Sequence, residues 1–294
     1  MQTFPPATNR FILRGAWLLV LFQTAVVSAS ACTIIVLADE SRVLFCNNED
    51  YSSPNTRIWF VPAEGKRFGC VFVGFDNGWA QGGLNTQGLA CDWVAGYSAK
   101  WERDAKLEDI PGNPNAEMLA ICSTVENAIQ FFQTHWIPAF AHARILVADR
   151  FGASAIIGAR DGSLKIVRAK NRQRRLGFGE AIAGPMLASN SRAEVENGAA
   201  ILRAAMQTGA FATKYSNIFD LRTGEIFLYQ FQFDEHPVRL VLADELSRGP
   251  HRFDMRELRE QTRKPVGSEN RANQGPEPTP TTATPSARQE ARQP

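Results

Sequence analysis

The chain has 294 residues, 44% hydrophobic and 21% charged, and 32 basic side chains against 30 acidic ones leave a formal net charge of +2. This is ordinary globular usage, and so even a balance of charge implies no polyanion or nucleic-acid partner. Enough chain remains after a leader and a polar tail are set aside to build one sizeable core, so one domain is expected.

Arg10 and Arg14 precede the apolar run 16–22, and Ala29 and Ala31 supply the small residues of a cleavage site, so residues 1–31 read as a signal peptide. That run is too short to span a bilayer, and no later stretch approaches the ~20 apolar residues a span requires. The expectation is an exported protein, periplasmic or secreted, with no membrane span. Cleavage after Ala31 makes Cys32 the first residue of the mature chain. A cysteine there carries a thiol and a free α-amine on one carbon, so nucleophile and general base come from a single residue. Reference pKa values of about 8 for the amine and about 8.5 for the thiol put both near neutrality. Two other roles compete. One is a lipid anchor, although Ala29 stands where lipoprotein leaders usually carry Leu; the other is half of a disulfide, the common fate of an exported cysteine.

From Cys32 the β-branched run 33–38, a turn at 39–41 and a returning run 42–46 predict a hairpin buried on both faces. It brings Asn47-Asn48-Glu49-Asp50 back beside Cys32. Further strands are expected over 57–61, 69–74 and 88–95. The breaker at 111–114 precedes one amphipathic helix in which Met118, Ile121, Val125, Ala128, Ile129 and Phe132 recur at helical steps. Strands over 144–148, 153–158 and 164–167 follow, then a short strand at 185–190. That strand leads into a helix running to about 207, opened by a Ser191/Glu194 capping box. Runs 217–221, 225–231 and 238–242 close the folded part, which is taken as 32–263. Strands interleaved with two helices imply an α+β layered architecture. The tail 264–294, rich in Pro, Thr, Gln and Arg, cannot bury enough apolar surface to order itself.

Five cysteines, at 32, 46, 70, 91 and 122, leave one thiol unpaired in an exported chain, with Cys32 the natural one and the pairing of the others open. The four histidines show no metal-ligand spacing, and the chain has no Gly-x-Ser-x-Gly elbow or phosphate-binding loop. Trp59, Trp79, Trp93, Tyr97 and Trp101 fall in segments expected to flank Cys32, which suits an apolar acyl group.

Cys32-Thr33 opening a strand, Asn47 to Asp50 ending the next, Asn85-Thr86-Gln87-Gly88-Leu89 and Ser189-Asn190 together resemble the linear-amide C–N hydrolases of the N-terminal-nucleophile group. That group includes penicillin V acylases, conjugated bile salt hydrolases and isopenicillin N acyltransferases. The resemblance implies an αββα four-layer sandwich, no cofactor, and cleavage of a linear amide through a thioester, with a small-molecule amide as the partner. Acyl transfer in place of hydrolysis and an oligomer of identical chains stay open. Cys32 matches the nucleophile, Asp50 the carboxylate that holds the amine, and Asn190 the asparagine that orients the bound amide. Asn47 stands where the acylases carry arginine, and their oxyanion asparagine falls near Ala95. The family's later arginine has only Arg192 and Arg203 to match it. Donors at Asn47 and along the Trp93 strand are left to stabilise the oxyanion, and Trp59, Trp79 and Trp93 to bind the acyl group.

Overall fold

The computed structural model describes residues 32–169 and 173–263. The expected signal peptide and polar tail lie outside the described residues. In chain order the strands begin β1 (Thr33–Ala38), β2 (Val43–Asp50), β3 (Thr56–Val61), β4 (Cys70–Phe75), β5 (Ala80–Asn85), β6 (Leu89–Ala95) and the two-residue β7 (Glu108–Asp109). Two helices, α1 (Pro114–Ile121) and α2 (Val125–Thr134), lead through β8 (His135–Trp136) to β9 (Ala143–Asp149), β10 (Ser154–Arg160), β11 (Ser163–Arg168) and β12 (Arg174–Gly177). Then come α3 (Glu180–Ser189), α4 (Val195–Ala204), β13 (Thr213–Asp220), β14 (Glu225–Tyr229), β15 (Val238–Val241), α5 (Leu242–Ser247), β16 (His251–Asp254) and α6 (Met255–Arg263).

The strands build a six-stranded sheet, β12-β1-β2-β13-β14-β15, and an eight-stranded sheet, β11-β10-β9-β6-β5-β4-β3-β16, while β7 and β8 form a small parallel pair. Every neighbouring pair in the two large sheets is antiparallel. Period-two alternation sends one face of each sheet to a shared core and the other to a helical layer. Ile34, Val36, Val43 and Phe45 meet Ile58, Val71, Leu84 and Val94 between the sheets. Ile35, Leu37, Leu44 and Cys46 pack outward with Ala183 and Leu187 of α3 and Ile201 and Leu202 of α4. Leu89, Cys91 and Ile145 pack outward with Met118 of α1 and Phe132 of α2. The layers run α-β-β-α, as expected. No helix among the described residues is long and apolar enough to cross a membrane.

Two local expectations need correction, and the open question of cysteine pairing is answered. The single helix over the 115–132 region is two helices, because Cys122 is extended and Thr124 caps a fresh start by accepting from the Asn127 N–H at 3.2 Å. Residues 185–189 are the second half of α3, with Pro185 inside it, and the next helix starts only at Val195. Burial of Ala183 and Leu187 against α4 and the sheet holds this turn helical where proline alone argues for a break. All five cysteines are free and buried thiols.

Candidate active site

β1 lies in the interior of its sheet, between β12 and β2, and Cys32 is the residue that precedes it. Its backbone is clamped on the β12 side. The Phe178 N–H donates to the Cys32 carbonyl oxygen at 3.2 Å, and the Gly179 N–H donates to Thr33 Oγ1 at 2.9 Å. Gly177 sits opposite Thr33 at φ +109°, and a Cβ there would lie 1.9 Å from the Cys32 carbonyl oxygen. Only glycine lets the strand close so tightly.

On the other side β2 returns with Asn48 opposite Thr33 and Asn47 opposite Ile34. Phe45 faces the inter-sheet core and Leu44 and Cys46 face α4, so Asn47 and Glu49 point between the sheets and Asn48 and Asp50 toward the helices. The Cys32 thiol donates to Glu49 Oε1 at 3.5 Å. Asn47 Nδ2 donates to Glu49 Oε2 at 3.3 Å and to Asp92 Oδ2 at 2.9 Å. Asp92 comes from β6 of the facing sheet, so this one amide stitches the two sheets together at the nucleophile. Room for the Asp92 carboxyl exists because its partner across β5 is Gly82, where a Cβ would lie 2.1 Å from Oδ2.

The remaining inward positions are polar as well. Tyr215 stands opposite Glu49 on β13 and Asn217 opposite Asn47, and both are fully buried. The Tyr215 hydroxyl, both amide atoms of Asn217 and Asn47 Oδ1 have no hydrogen-bond partner among the described residues. Asp50, on the outward face, accepts from the Thr213 hydroxyl and from Gln207 Nε2.

Burial sets the electrostatics, since taking a carboxyl out of water favours its neutral form. Burial pushes Asp50 up to about 7, against the hydrogen bonds from Thr213 and Gln207. It pushes Asp92 up to about 8. Glu49 is raised well above the carboxylate range, by burial first and then by the Asp92 charge. The Cys32 thiol is raised too, by burial and then by Glu49, Asp50 and Asp92, while the Asp50 backbone N–H, which hydrogen-bonds the sulfur, works the other way.

Asn47 and Asp50 lie on the strand beside Cys32, the Asp50 N–H at the sulfur with its carboxyl turned outward to Thr213 and Gln207, and Asn47 joined to the thiol through Glu49, but Asn47 differs from its expected role. Both of its amide hydrogens are engaged by carboxyls, so the group stands as a tie between Glu49 and Asp92, with no proton to spare for an oxyanion. The Trp93 N–H is likewise taken, by Asp92 Oδ1 at 2.7 Å. Asn190 is not brought to the cluster. It is the exposed C-cap of α3, a helix that starts beside Thr33 and runs to the far end of β1, where the Ala193 N–H donates to Asp39 at 3.0 Å. Alternation turns Trp93 away from the nucleophile: Asp92 takes the inward position, and the Trp93 ring packs outward on Phe132 and Phe140 with Nε1 donating to Asn115. Trp79 is an exposed turn residue between β4 and β5. Trp59 lines a cavity of about 690 Å³ with Phe60 and Phe75, and the Phe75 ring stands 4.5 Å from Tyr51 and 6.3 Å from Tyr215. Glu49, Asp92, Tyr215 and Asn217 have no assigned role in the sequence reading, although each is a polar residue on the apolar phase of a strand, the one signal that marks them.

No family model matches the chain, and no curated protein matches it by sequence. Its fold matches solved structures. The penicillin V acylase from Agrobacterium tumefaciens superposes with a TM-score of 0.60 at 14% identity, over 76% of this chain and 91% of that one. A mutant conjugated bile acid hydrolase from Clostridium perfringens gives 0.61 at 14%, over 76% and 96%.

Proposed function

From a fold shared with N-terminal-nucleophile amide hydrolases, we propose that this chain is an exported amidase that cleaves the linear C–N bond of a small N-acyl compound through a thioester on Cys32. The observation that carries the reading is the placement of Cys32. A thiol stands at the start of a central strand, at the seam of the two sheets, and its sulfur faces the Glu49 carboxyl and the Asp50 N–H. Removal of residues 1–31 frees an α-amine on the same residue. That amine takes the thiol proton as sulfur attacks the amide carbonyl, and it returns the proton to the departing nitrogen. Asp50 steadies the amine from the neighbouring strand, and the Tyr215 hydroxyl and Asn217 Nδ2 are uncommitted donors for charge developing on the carbonyl oxygen. Water then resolves the thioester.

The test is a pair of proteins, one beginning at Cys32 and one keeping a single alanine before it, each N-terminus verified by intact mass. The extension leaves the thiol and the strand but converts the amine into an amide that accepts no proton. Loss of amide cleavage by a factor on the order of 10² or more is expected. Equal activity in the two proteins would return Cys32 to a structural role.

A further inference from the structure

We propose that Glu49, in place of the freed amine, is the proton carrier for Cys32, taking the thiol proton during attack and handing it to the leaving nitrogen, with Asp92 tied opposite it by Asn47. The proposal rests on the amide-hydrolase reading and moves the proton-carrier role within it from the amine to Glu49, the amine acting as the positive charge that lets Glu49 ionise. Its geometric basis is the contact of Glu49 Oε1 with the sulfur at 3.5 Å and the continuation of that contact through Asn47 Nδ2 to Asp92 Oδ2. Alternation leaves Glu49 no other direction to point. Gly82 hollows the facing sheet so that Asp92 fits.

Every group that faces Glu49 bears on its proton. These are the Cys32 thiol and its freed amine from β1, Asn47 and Asp50 on its own strand, Asp92 from β6 and the Tyr215 hydroxyl from β13. With an amide bond still preceding Cys32, no positive charge lies among them, and burial holds the carboxyls neutral. Cleavage introduces an ammonium within this acidic set. An opposite charge so close favours both charged forms, so the amine is held as ammonium and becomes a poorer base while Glu49 becomes able to ionise. One carboxylate then stands against the thiol. In the first step the S–H proton moves to Glu49 as the C–S bond forms and the carbonyl π electrons move to oxygen. In the second those electrons reform the carbonyl, the C–N bond breaks and nitrogen takes the proton from Glu49. Charge and protons balance without another reactant.

The experiment compares the mature protein with Glu49→Gln and Glu49→Asp. Three readouts are taken: release of butylamine from the N-butylamide of phenylacetic acid, acylation by the p-nitrophenyl ester of the same acid, and the pH profile of Cys32 alkylation by iodoacetamide. A phenolate leaves without help, whereas an alkylamine needs a proton. The amide-to-ester rate ratio is therefore expected to fall about tenfold or more in Glu49→Gln, with the alkylation midpoint moving to lower pH because a negative neighbour is gone. Glu49→Asp keeps the charge but shortens the reach, so the ratio falls while the midpoint stays. A ratio within about twofold of wild type in both variants, or amide and ester rates that fall together, overturns the proposal. A wild-type protein that accepts the ester and leaves the amide intact defeats the amidase reading. The alkylation midpoint of Glu49→Gln then decides the Glu49 contact, an unmoved midpoint overturning it.

Discussion

Glycine 82 shows how much of the site depends on a group that is not there. A methyl at this position would sit 2.1 Å from Asp92 Oδ2, 2.5 Å from its carboxyl carbon and 2.7 Å from the Cys91 carbonyl oxygen, so carboxyl and backbone would both have to move. Gly82→Ala is expected to destabilise the protein by about 1–3 kcal/mol, as overpacking of a close-fitted interior does. It should also lower activity more than its stability loss explains, because Asp92 is pushed off Asn47. Urea unfolding beside amide turnover checks both, and a variant as stable and active as wild type would remove Asp92 from its assigned place. The same residue explains why this part of the site is hard to read in sequence. An alternating apolar strand with one aspartate looks like a strand with an exposed position, and nothing local says that a glycine on the adjoining strand has made that position interior.

At the scale of elements, the turn between β5 and β6 carries a larger share of the architecture than its sequence suggests. Asn85 is buried, donates through Nδ2 to the Leu119 and Cys122 carbonyl oxygens at 2.7 Å each, and accepts at Oδ1 from the Gln87 and Leu89 N–H groups at 3.0 Å. It ties the turn to the end of α1. Asn85→Ala leaves four backbone groups short of partners in a dry setting, for which a loss of about 2–4 kcal/mol is expected. A urea midpoint within experimental error of wild type would refute that role. What was legible at this scale was periodic: the β1–β2 hairpin, β6, and the β9 to β11 meander follow from alternation and turn residues. The strand β5 was missed because Gly82 and Gly83 suppress its pattern while serving close approach of the neighbouring strands. The start of α3 was missed because Pro185 signals a break that tertiary burial overrules. Asn190 was drawn to the site by its position in a motif, and the helix that bears it runs along β1 to the wrong end.

For the molecule as a whole, the site is a junction of layers: Cys32, Asn47, Glu49 and Tyr215 come from one sheet and Asp92 from the other. Its carboxyls link stability to pH with a definite sign. Asp50 and Asp92 have folded-state values near 7 and 8 and Glu49 is raised also, all above their unfolded values near 4. Between these limits the folded state holds protons that the unfolded chain releases, so this contribution is full below about pH 4 and is lost as pH rises through about 7–8. The loss should be steeper in the alanine-extended protein than in the mature one, where the freed ammonium compensates the carboxylates. Urea midpoints of both proteins at pH 5 and pH 8 measure the difference, and identical pH dependences would show that the amine is not placed among these groups.

The interior position of β1 has a practical consequence. A chain end is usually where a protein tolerates a tag or a fusion, because end residues fray and touch little. If the mature chain begins at Cys32, this one begins at the residue that leads into a strand bonded on both sides, its carbonyl set against Gly177 with no slack. An affinity tag, a fluorophore or a solid support belongs at the other end. There the described chain finishes on α6, beside the outermost strand β16, with Met255 and Leu258 held in the inter-sheet core and residues 260–263 exposed.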